Sequence, residues 1–157
     1  MSRDSKKDLV AEVIQLGRAH EAANFAFDEV AFQKLGINRT DGRCLDIIEN
    51  EGPLTAGRLA ELSGLTTAAV TSVLDRLERA GYARRMRDEK DRRQVIVEIT
   101  QLLEERGGQI WGPLGEAAQA EMSRMSVEEL KTVIEFFRKG RDVNERHVDR
   151  VRALDFE

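Results

Sequence analysis

The side chains best suited to chemistry in this sequence are short hydroxyls and arginines in the middle of the chain. The hydroxyls, at the spacing of helix neighbours, are Thr66, Thr67, Thr71 and Ser72. Arg92 and Arg93 follow in a charged stretch further along the chain. Hydroxyl groups can bond base edges and phosphates in a major groove about 12 Å wide, and the negative potential of the minor groove attracts arginine. Together these side chains predict a surface that reads DNA.

The hydroxyl groups lie on a predicted helix that Thr66 begins as N-cap and that Gly81 ends. The apolar residues of this helix fall on one side; they are Val70, Val73, Leu74 and Leu77. The other side is therefore exposed, and its start is small and polar, with Ala68 among the hydroxyls. Thr55 can cap a short preceding helix, and Gly64 supplies the turn between the two helices. This segment is predicted to be a helix-turn-helix.

After the second helix the sequence period changes from 3.6 to 2, which is typical of β-strands. Residues 82–87 and 94–99 alternate in this way and flank the charged connection 88–93. We therefore expect a two-stranded hairpin with an arginine-rich tip. A threonine-capped helix is usually only a helix, and a basic turn is usually a solvated loop. Their occurrence in this order along one short stretch nevertheless favours DNA binding.

The charge distribution agrees with a nucleic-acid partner only locally. The net charge of −4 alone argues against such a partner, which usually requires a basic surface. Residues 76–93, however, contain eight basic and four acidic side chains, whereas both ends of the chain are acidic overall. The sequence thus predicts a basic patch around the hairpin of an otherwise acidic protein.

Composition limits the other classes of protein. The chain has 157 residues, 41% of them hydrophobic and 34% charged, with two prolines, so we expect a mainly helical, soluble protein. Its polar start and the lack of a long apolar stretch predict a cytoplasmic location without a membrane partner. One cysteine and two histidines make neither a disulfide nor a recognisable metal cluster, so we expect no metal and no cofactor.

Long amphipathic helices are predicted on both sides of this central region. An apolar stripe over 4–34 indicates one long helix, and Thr40 is the expected N-cap of the next helix. Thr100 is expected to cap a further long helix, bent by the glycines and the proline that it contains. The sequence SVEE at 126–129 is a capping box, and an apolar stripe follows it as far as Leu154. One small lobe cannot cover both stripes, which predicts a homodimer.

Three segments of the central region resemble the MarR family of transcriptional regulators. They read LTTAAVTSVLDRLERAGY at 65–82, DEKDRR at 88–93 and VIVEIT at 95–100. The resemblance implies a mainly α fold with a winged helix-turn-helix DNA-binding domain at 39–100, whose wing has two β-strands. The flanking segments 1–38 and 101–157 would supply the long N- and C-terminal dimerisation helices. The resemblance also implies a repressor that binds a near-palindromic operator in double-stranded DNA as a homodimer.

Carried over to this chain, the resemblance assigns a role to each DNA-binding residue. The major-groove residues would be Thr66, Thr67, Ala68, Thr71 and Ser72. Arg76 would sit near a phosphate, and Asp91 would brace the wing. Arg93 would enter the minor groove, with Arg92 as a second candidate. Many family members have arginine where this chain has Ser72, and its absence removes a donor able to pair with guanine, so the base preference stays open.

The family resemblance also implies a small aromatic or anionic effector, bound between the dimerisation helices and the DNA-binding lobe. The candidate pocket residues are His20, Phe27, Cys44 and Trp111. Ordinary core packing is the alternative for all four, because each lies on the face of a predicted helix. Cys44 is a poor candidate for an oxidant sensor, since its helix face looks buried and no second cysteine could resolve a sulfenic acid.

Two other functions compete with DNA binding as explanations of this sequence. A small enzyme would need a nucleophile with a base, paired carboxylates in a pocket or a metal site, and none of these has a signature here. A winged-helix adaptor that binds other proteins is the stronger alternative. The wing arginines distinguish it, because a pure adaptor has no need of Arg92 and Arg93. We therefore predict a regulator of transcription and not an enzyme.

Overall fold

The computed structural model describes residues 5–88 and 91–155 of the chain. Its helices are α1 Lys6–Leu35, α2 Arg39–Glu51, α3 Ala56–Ser63, α4 Thr67–Ala80, α5 Gln101–Met122 and α6 Val127–Arg152. Its strands are β1 Leu54–Thr55, β2 Ala83–Arg87 and β3 Val95–Ile99. The predicted mainly helical fold with a small β wing is confirmed. Over the described residues, no helix is both long enough and apolar enough to span a bilayer.

The chain folds as two compact units, the first ending at Ile110 and the second beginning at Trp111. The first unit holds the helices and strands from α1 to β3 together with the start of α5. The second unit holds the rest of α5 and all of α6. The helix-turn-helix and the wing therefore belong to one unit.

Most helix ends lie where the capping residues predict them. The Oγ1 atom of Thr66 accepts the N–H of Ala69 at 3.2 Å, and Thr55 caps α3 through the N–H of Arg58 at the same distance. Gly81 ends α4 with φ 78°, a left-handed conformation that favours glycine. Ser126 begins α6 with the predicted capping box. These bonds satisfy backbone groups that have no partner inside the helix.

The start of α2 differs from the prediction. Its N-cap is Asn38 and not Thr40, so the helix begins at Arg39. The side chain of Asn38 accepts the N–H of Asp41 at 2.9 Å, and the carboxylate of Asp41 accepts the N–H of Asn38 at 3.4 Å. This reciprocal capping box satisfies two backbone donors, whereas a threonine cap at position 40 would satisfy one.

The wing is an antiparallel hairpin of β2 and β3, as predicted, with a third strand that the sequence did not indicate. The strand order is β1-β3-β2, and β1 pairs Leu54 with Val97 and Thr55 with Ile96. Two residues are too few to establish an alternating pattern, which is why β1 escaped prediction. Its pairing ties the root of the wing to the segment that enters α3.

The core of the first unit forms between the apolar side of α4, the other helices of that unit and the inner face of the sheet. Its fully buried side chains include Ile48, Leu59, Val70, Leu74, Leu77, Tyr82 and Val97. Each buried aliphatic or aromatic side chain of this kind contributes about 1.5–3 kcal/mol to folding. The hydroxyl of Tyr82 donates to the carbonyl of Leu35 at 3.0 Å and accepts from Arg106 Nη1 at 2.7 Å. A buried polar atom is thereby satisfied, and it links the end of α1 to the start of the wing.

Helices α1 and α2 approach closely where the ring of Phe32 lies against Gly42. A Cβ atom at position 42 would overlap the Cε1 and Cζ atoms of that ring. Glycine is required here by space and not by backbone conformation. By contrast, nothing lies within 4 Å of a Cβ built on Gly108 in α5.

We expect Gly42→Ala to lower the free energy of unfolding by about 1–3 kcal/mol, because the Phe32 ring or the helix must move to admit one methyl group. Gly108→Ala is the matched control, since it adds the same group to a helix with free space and is expected to be neutral or stabilising by up to about 1 kcal/mol. Urea unfolding followed by circular dichroism measures both changes. Equal stability of the two variants would contradict the close packing of α1 on α2.

Candidate DNA-binding surface

The polar side of α4 is exposed over its first two turns. Thr66, Thr67, Ala68, Thr71 and Ser72 are all exposed. The residues that alternate with them in the helix, Val70, Val73, Leu74 and Leu77, are at most 1% exposed. The helix is therefore held by one side and presents small side chains on the other, which allows its backbone to come close to a groove floor.

The hydroxyl groups on this side are oriented by bonds to their own helix. Thr71 Oγ1 donates to the carbonyl of Thr67 at 3.0 Å, and Ser72 Oγ donates to the carbonyl of Ala68 at 3.1 Å. Each hydroxyl proton is thus engaged, while the oxygen lone pairs remain available as acceptors. In this state the hydroxyl oxygens can accept hydrogen bonds from the amino groups of adenine and cytosine, which are the donors of the major groove.

The tip of the wing is closed by Asp91. Its carboxylate accepts the N–H of Arg93 and the side-chain amide of Gln94, each at 3.1 Å, and its carbonyl accepts the N–H of Gln94 at 2.8 Å. The N–H of Asp88 donates to the carbonyl of Gln94 at 3.1 Å, across the base of the tip. Lys90, counted in the predicted basic patch, lies outside the described residues. Arg92 and Arg93 are exposed at this turn.

Ion pairs divide the basic patch into two groups. The neutralised side chains are Arg76 with Asp41, Arg84 with Glu98, and Arg85 with Asp75 and Glu78. Within residues 5–88 and 91–155, Arg79, Arg87, Arg92 and Arg93 have no carboxylate at ion-pair distance, and all four are exposed. The positive charge that a phosphate can meet is therefore smaller than the sequence count suggests.

Arg79 and Arg87 are candidate DNA contacts that the site prediction missed. Arg79 lies seven residues after Ser72, two turns along the same side of α4, and its Nε donates to the carbonyl of Asp75 at 3.1 Å. Arg87 ends strand β2. Helical periodicity could have identified Arg79 from the sequence, whereas the exposure of Arg87 depends on how the wing pairs.

Arg76 joins α4 to the start of α2. Its Nε lies 3.1 Å from both carboxylate oxygens of Asp41, and its Nη2 lies 2.6 Å from Oδ1. Asp41 is 2% exposed, whereas the Arg76 side chain is 39% exposed. The hydrogen bond to Asp41 raises the pKa of Arg76. The contact of Arg76 with a phosphate stays a prediction. In the structure Arg76 pairs with Asp41, thirty-five positions earlier in the chain, and no local sequence pattern reveals a pair at that separation.

The four predicted effector residues lie in different surroundings. His20 is exposed on α1, with its ring nitrogen 3.2 Å from the amide of Asn24, and Phe27 is half-buried on the same helix. Cys44 is fully buried. Burial raises the pKa of its thiol, and the charge of Asp41 raises it further, so the reactive thiolate is disfavoured. Trp111 is half-buried in the second unit. The pocket between these residues stays a prediction.

A separate cleft of about 310 Å³ lies between α1 and α2. It is lined by Glu21, Asn24, Phe25, Asp28, Phe32, Arg39, Arg43 and Asp46. The guanidinium of Arg39 stacks on the ring of Phe25, 3.1 Å from its centroid. The cleft offers aromatic surface beside arginines, although carboxylates contribute to its lining as well.

A helix-turn-helix whose second helix exposes a polar side, followed by a hairpin with arginines at its tip, defines a winged helix-turn-helix protein. Residues 37–95 match the model of the MarR family. The regulator YcgE of Bacillus subtilis, named as an HTH-type transcriptional regulator, is 33% identical over 151 residues, which cover 96% of this chain and 98% of YcgE. The chain belongs to the MarR family of transcriptional regulators.

Solved structures with low sequence identity share the fold. S. aureus MepR in complex with DNA has a TM-score of 0.59 at 20% identity, with 82% of this chain and 97% of MepR covered. NadR in complex with 4-hydroxyphenylacetate has a TM-score of 0.57 at 22% identity, with 88% of this chain and 94% of NadR covered. At these identities the likeness concerns the fold and not the ligands.

Proposed function

We propose that this regulator binds a specific near-palindromic operator in double-stranded DNA as a homodimer and represses transcription. The observation that carries the proposal is the pairing of an exposed polar helix side with exposed arginines that have no carboxylate partner among the described residues. The contacts would be made by Thr66, Thr67, Ala68, Thr71, Ser72, Arg79, Arg87, Arg92 and Arg93. A protein that occupies an operator in this way blocks access of polymerase and needs no catalytic step, so the chain is not an enzyme.

In the proposed complex, the start of α4 enters the major groove and the wing follows the backbone to the adjacent minor groove. Thr71 and Ser72 accept hydrogen bonds from base amino groups, while Arg93 and Arg92 enter the minor groove where it is narrow. Arg76, held by Asp41, lies at the edge near a phosphate. With serine at position 72, much of the specificity comes from groove shape, which arginines read through the local potential. The shared fold of DNA-bound MepR supports this arrangement.

Dimerisation is proposed from the apolar surface that the single chain leaves exposed. On α1 the exposed apolar residues are Leu9, Val10, Val13, Ile14, Leu16, Phe25 and Val30. On α6 they are Val127, Ile134, Phe136, Phe137, Val143, Val148 and Val151. Leu16 and Phe137 are 61% and 62% exposed. Apolar patches of this extent mark interfaces, so segments 1–38 and 101–157 are proposed to form the dimer around the DNA-binding domain 39–100.

A small aromatic or anionic effector is proposed to release the operator. Effector-bound NadR shares the fold, and its ligand, 4-hydroxyphenylacetate, belongs to that class. The cleft between α1 and α2 supports a site near the junction of the dimerisation helices with the DNA-binding domain, through Arg39, Arg43 and Phe25. His20, Phe27, Cys44 and Trp111 remain the residues proposed from the sequence.

Because its target is chromosomal DNA, the protein is proposed to act in the cytoplasm.

The main test is selection of bound fragments from the genomic DNA of the source cell, followed by affinity measurements at two salt concentrations. We expect an inverted repeat with half-sites roughly 10 base pairs apart, bound about a thousandfold more tightly than random DNA. Equal, weak and strongly salt-dependent binding to all fragments would indicate only electrostatic contact. The protein-binding adaptor would then become the better explanation of the fold.

The wing makes a separate prediction. Arg92→Ala with Arg93→Ala is expected to reduce operator affinity to the level of random DNA, because both arginines proposed to enter the minor groove are removed. The control is Arg124→Ala with Lys131→Ala, which removes two positive charges from exposed positions outside the proposed surface. Fluorescence anisotropy measures the affinity and light scattering checks that both variants remain dimers. Specific binding that persists in the wing variant would count against this role of the wing.

The dimer interface is tested by Phe137→Asp on α6. The side chain is exposed in the single chain, so a charge there costs little unless a second copy covers it. We expect light scattering at micromolar concentration to give two chains for the natural protein and a shift toward one chain for the variant. Val95→Asp, at an exposed apolar position on the wing, is the control and should leave the dimer intact. A monomeric natural protein would contradict the proposal.

A further inference from the structure

Arg85 occupies an unusual position in the wing. It lies in β2 opposite Val97 of β3, two residues after the buried Ala83. Since side chains of a strand alternate between its faces, Arg85 shares the inner face with Ala83 and points toward α4. A charged side chain at an inward strand position requires partners, because an unpaired charge there would lose its hydration.

Helix α4 supplies the bonding partners of the Arg85 side chain. The backbone N–H of Arg85 donates to Glu78 Oε1 at 2.9 Å, and its Nη1 forms an ion pair with the other carboxylate oxygen of Glu78. Its Nη2 lies 2.8 Å from Asp75 Oδ1 and 3.5 Å from the carbonyl of Thr71. One side chain of the wing therefore contacts three successive turns of the helix.

The two carboxylates that Arg85 holds lie beside the proposed DNA contacts. The side chain of Asp75 is 52% exposed and lies one turn after Thr71, and Arg79 follows it by one turn on the same side. Glu78 is half-buried next to it. Carboxylates at this place would repel the phosphates, since like charges a few ångströms apart interact by about 1 kcal/mol even in water.

We propose that Arg85 is a positioning residue for DNA binding, which offsets one of the two negative charges of Asp75 and Glu78 and fixes the angle between the wing and α4 without contacting DNA itself. The inference rests on the proposed function, because it concerns the same surface. Its side chain is only 30% exposed, and both terminal nitrogens of the guanidinium are bonded to the helix. The planar fork of arginine can bond both carboxylates at once, which the single ammonium of lysine cannot reproduce.

The contribution of the wing to DNA affinity then depends on preorganisation, which means that its orientation relative to α4 is set before DNA binds. Arg92 and Arg93 can reach the minor groove in register with the hydroxyls of α4 only if the two elements keep a fixed angle. When that angle is set before binding, no ordering cost is added at the moment of contact. Loss of Arg85 therefore combines a repulsive charge with a freer wing.

The test compares Arg85→Ala with the triple variant Asp75→Asn, Glu78→Gln, Arg85→Ala on the selected operator. Anisotropy at two salt concentrations measures the affinity. We expect the single variant to bind at least about tenfold more weakly. The triple variant should recover the part of the loss that comes from charge repulsion, because its carboxylates are gone, but not the part that comes from the freer wing. Arg84→Ala is the matched control, since Arg84 pairs with Glu98 on the opposite face, and its affinity should stay within about twofold.

Two further readouts separate this role from simpler ones. A direct phosphate contact by Arg85 would lower the salt slope by about 0.9 in both Arg85 variants and leave the triple variant as weak as the single one. That result would overturn the proposal, as would unchanged affinity of the single variant. Hydrogen exchange without DNA is expected to be faster in β2 and β3 of the single variant, and unchanged exchange would refute the fixed angle. If the natural protein itself lacks a preferred operator, the proposed function fails instead.

Discussion

Burial of the apolar side of α4 is the constraint on which the proposed DNA-binding surface depends. Val70, Val73, Leu74 and Leu77 are fixed in the core, so the helix cannot rotate about its axis without exposing them. The opposite side must then face solvent with its hydroxyls. The pairing of Arg76 with Asp41 adds a second restraint, because it fixes α4 against the first turn of α2. Core packing and one ion pair thus define the direction in which the polar side points.

The electrostatics of the surface follow from local pairing and not from net charge. The chain is acidic overall, and three arginines of its basic stretch are used to join elements of the first unit. The arginines left without carboxylates among the described residues lie on α4, at the end of β2 and at the tip of the wing. Because nonspecific affinity comes from phosphate contacts, so small a set of available arginines would give weak attachment to arbitrary DNA. The acidic remaining surfaces would reduce such attachment further.

The sequence predicts those parts of the fold that depend on neighbours in the chain. Helix caps at Thr55, Thr66 and Ser126 involve residues three positions apart, and the wing strands follow a period of two, so local patterns were enough to identify both. The roles of Asp91 and the wing arginines came from family resemblance. Strand β1 was not predictable because two residues carry no pattern. The cap at Asn38 was missed because two polar residues, two positions apart, offered alternative starts.

Interactions between distant segments explain the rest of what the sequence did not reveal. Asp41 meets Arg76, and Arg85 meets Asp75 and Glu78, only after the helices and the sheet have packed. A count of charges along the sequence cannot separate these paired side chains from unpaired ones. It therefore overestimates the number of arginines that are available to phosphates. Cys44 shows the opposite case, since its position on an apolar helix side was enough to predict burial. Patterns therefore located the elements, whereas tertiary contacts decided which charges stay available.

The hydroxyl of Tyr82 connects the end of α1 to the root of the wing through a hydrogen bond. It bonds the carbonyl of Leu35 and accepts from Arg106, while its ring is sealed in the core. A molecule that displaces the end of α1 must either carry the wing root with it or leave a buried hydroxyl without its acceptor. The second course costs about 1–3 kcal/mol. That is the size of a typical allosteric coupling free energy.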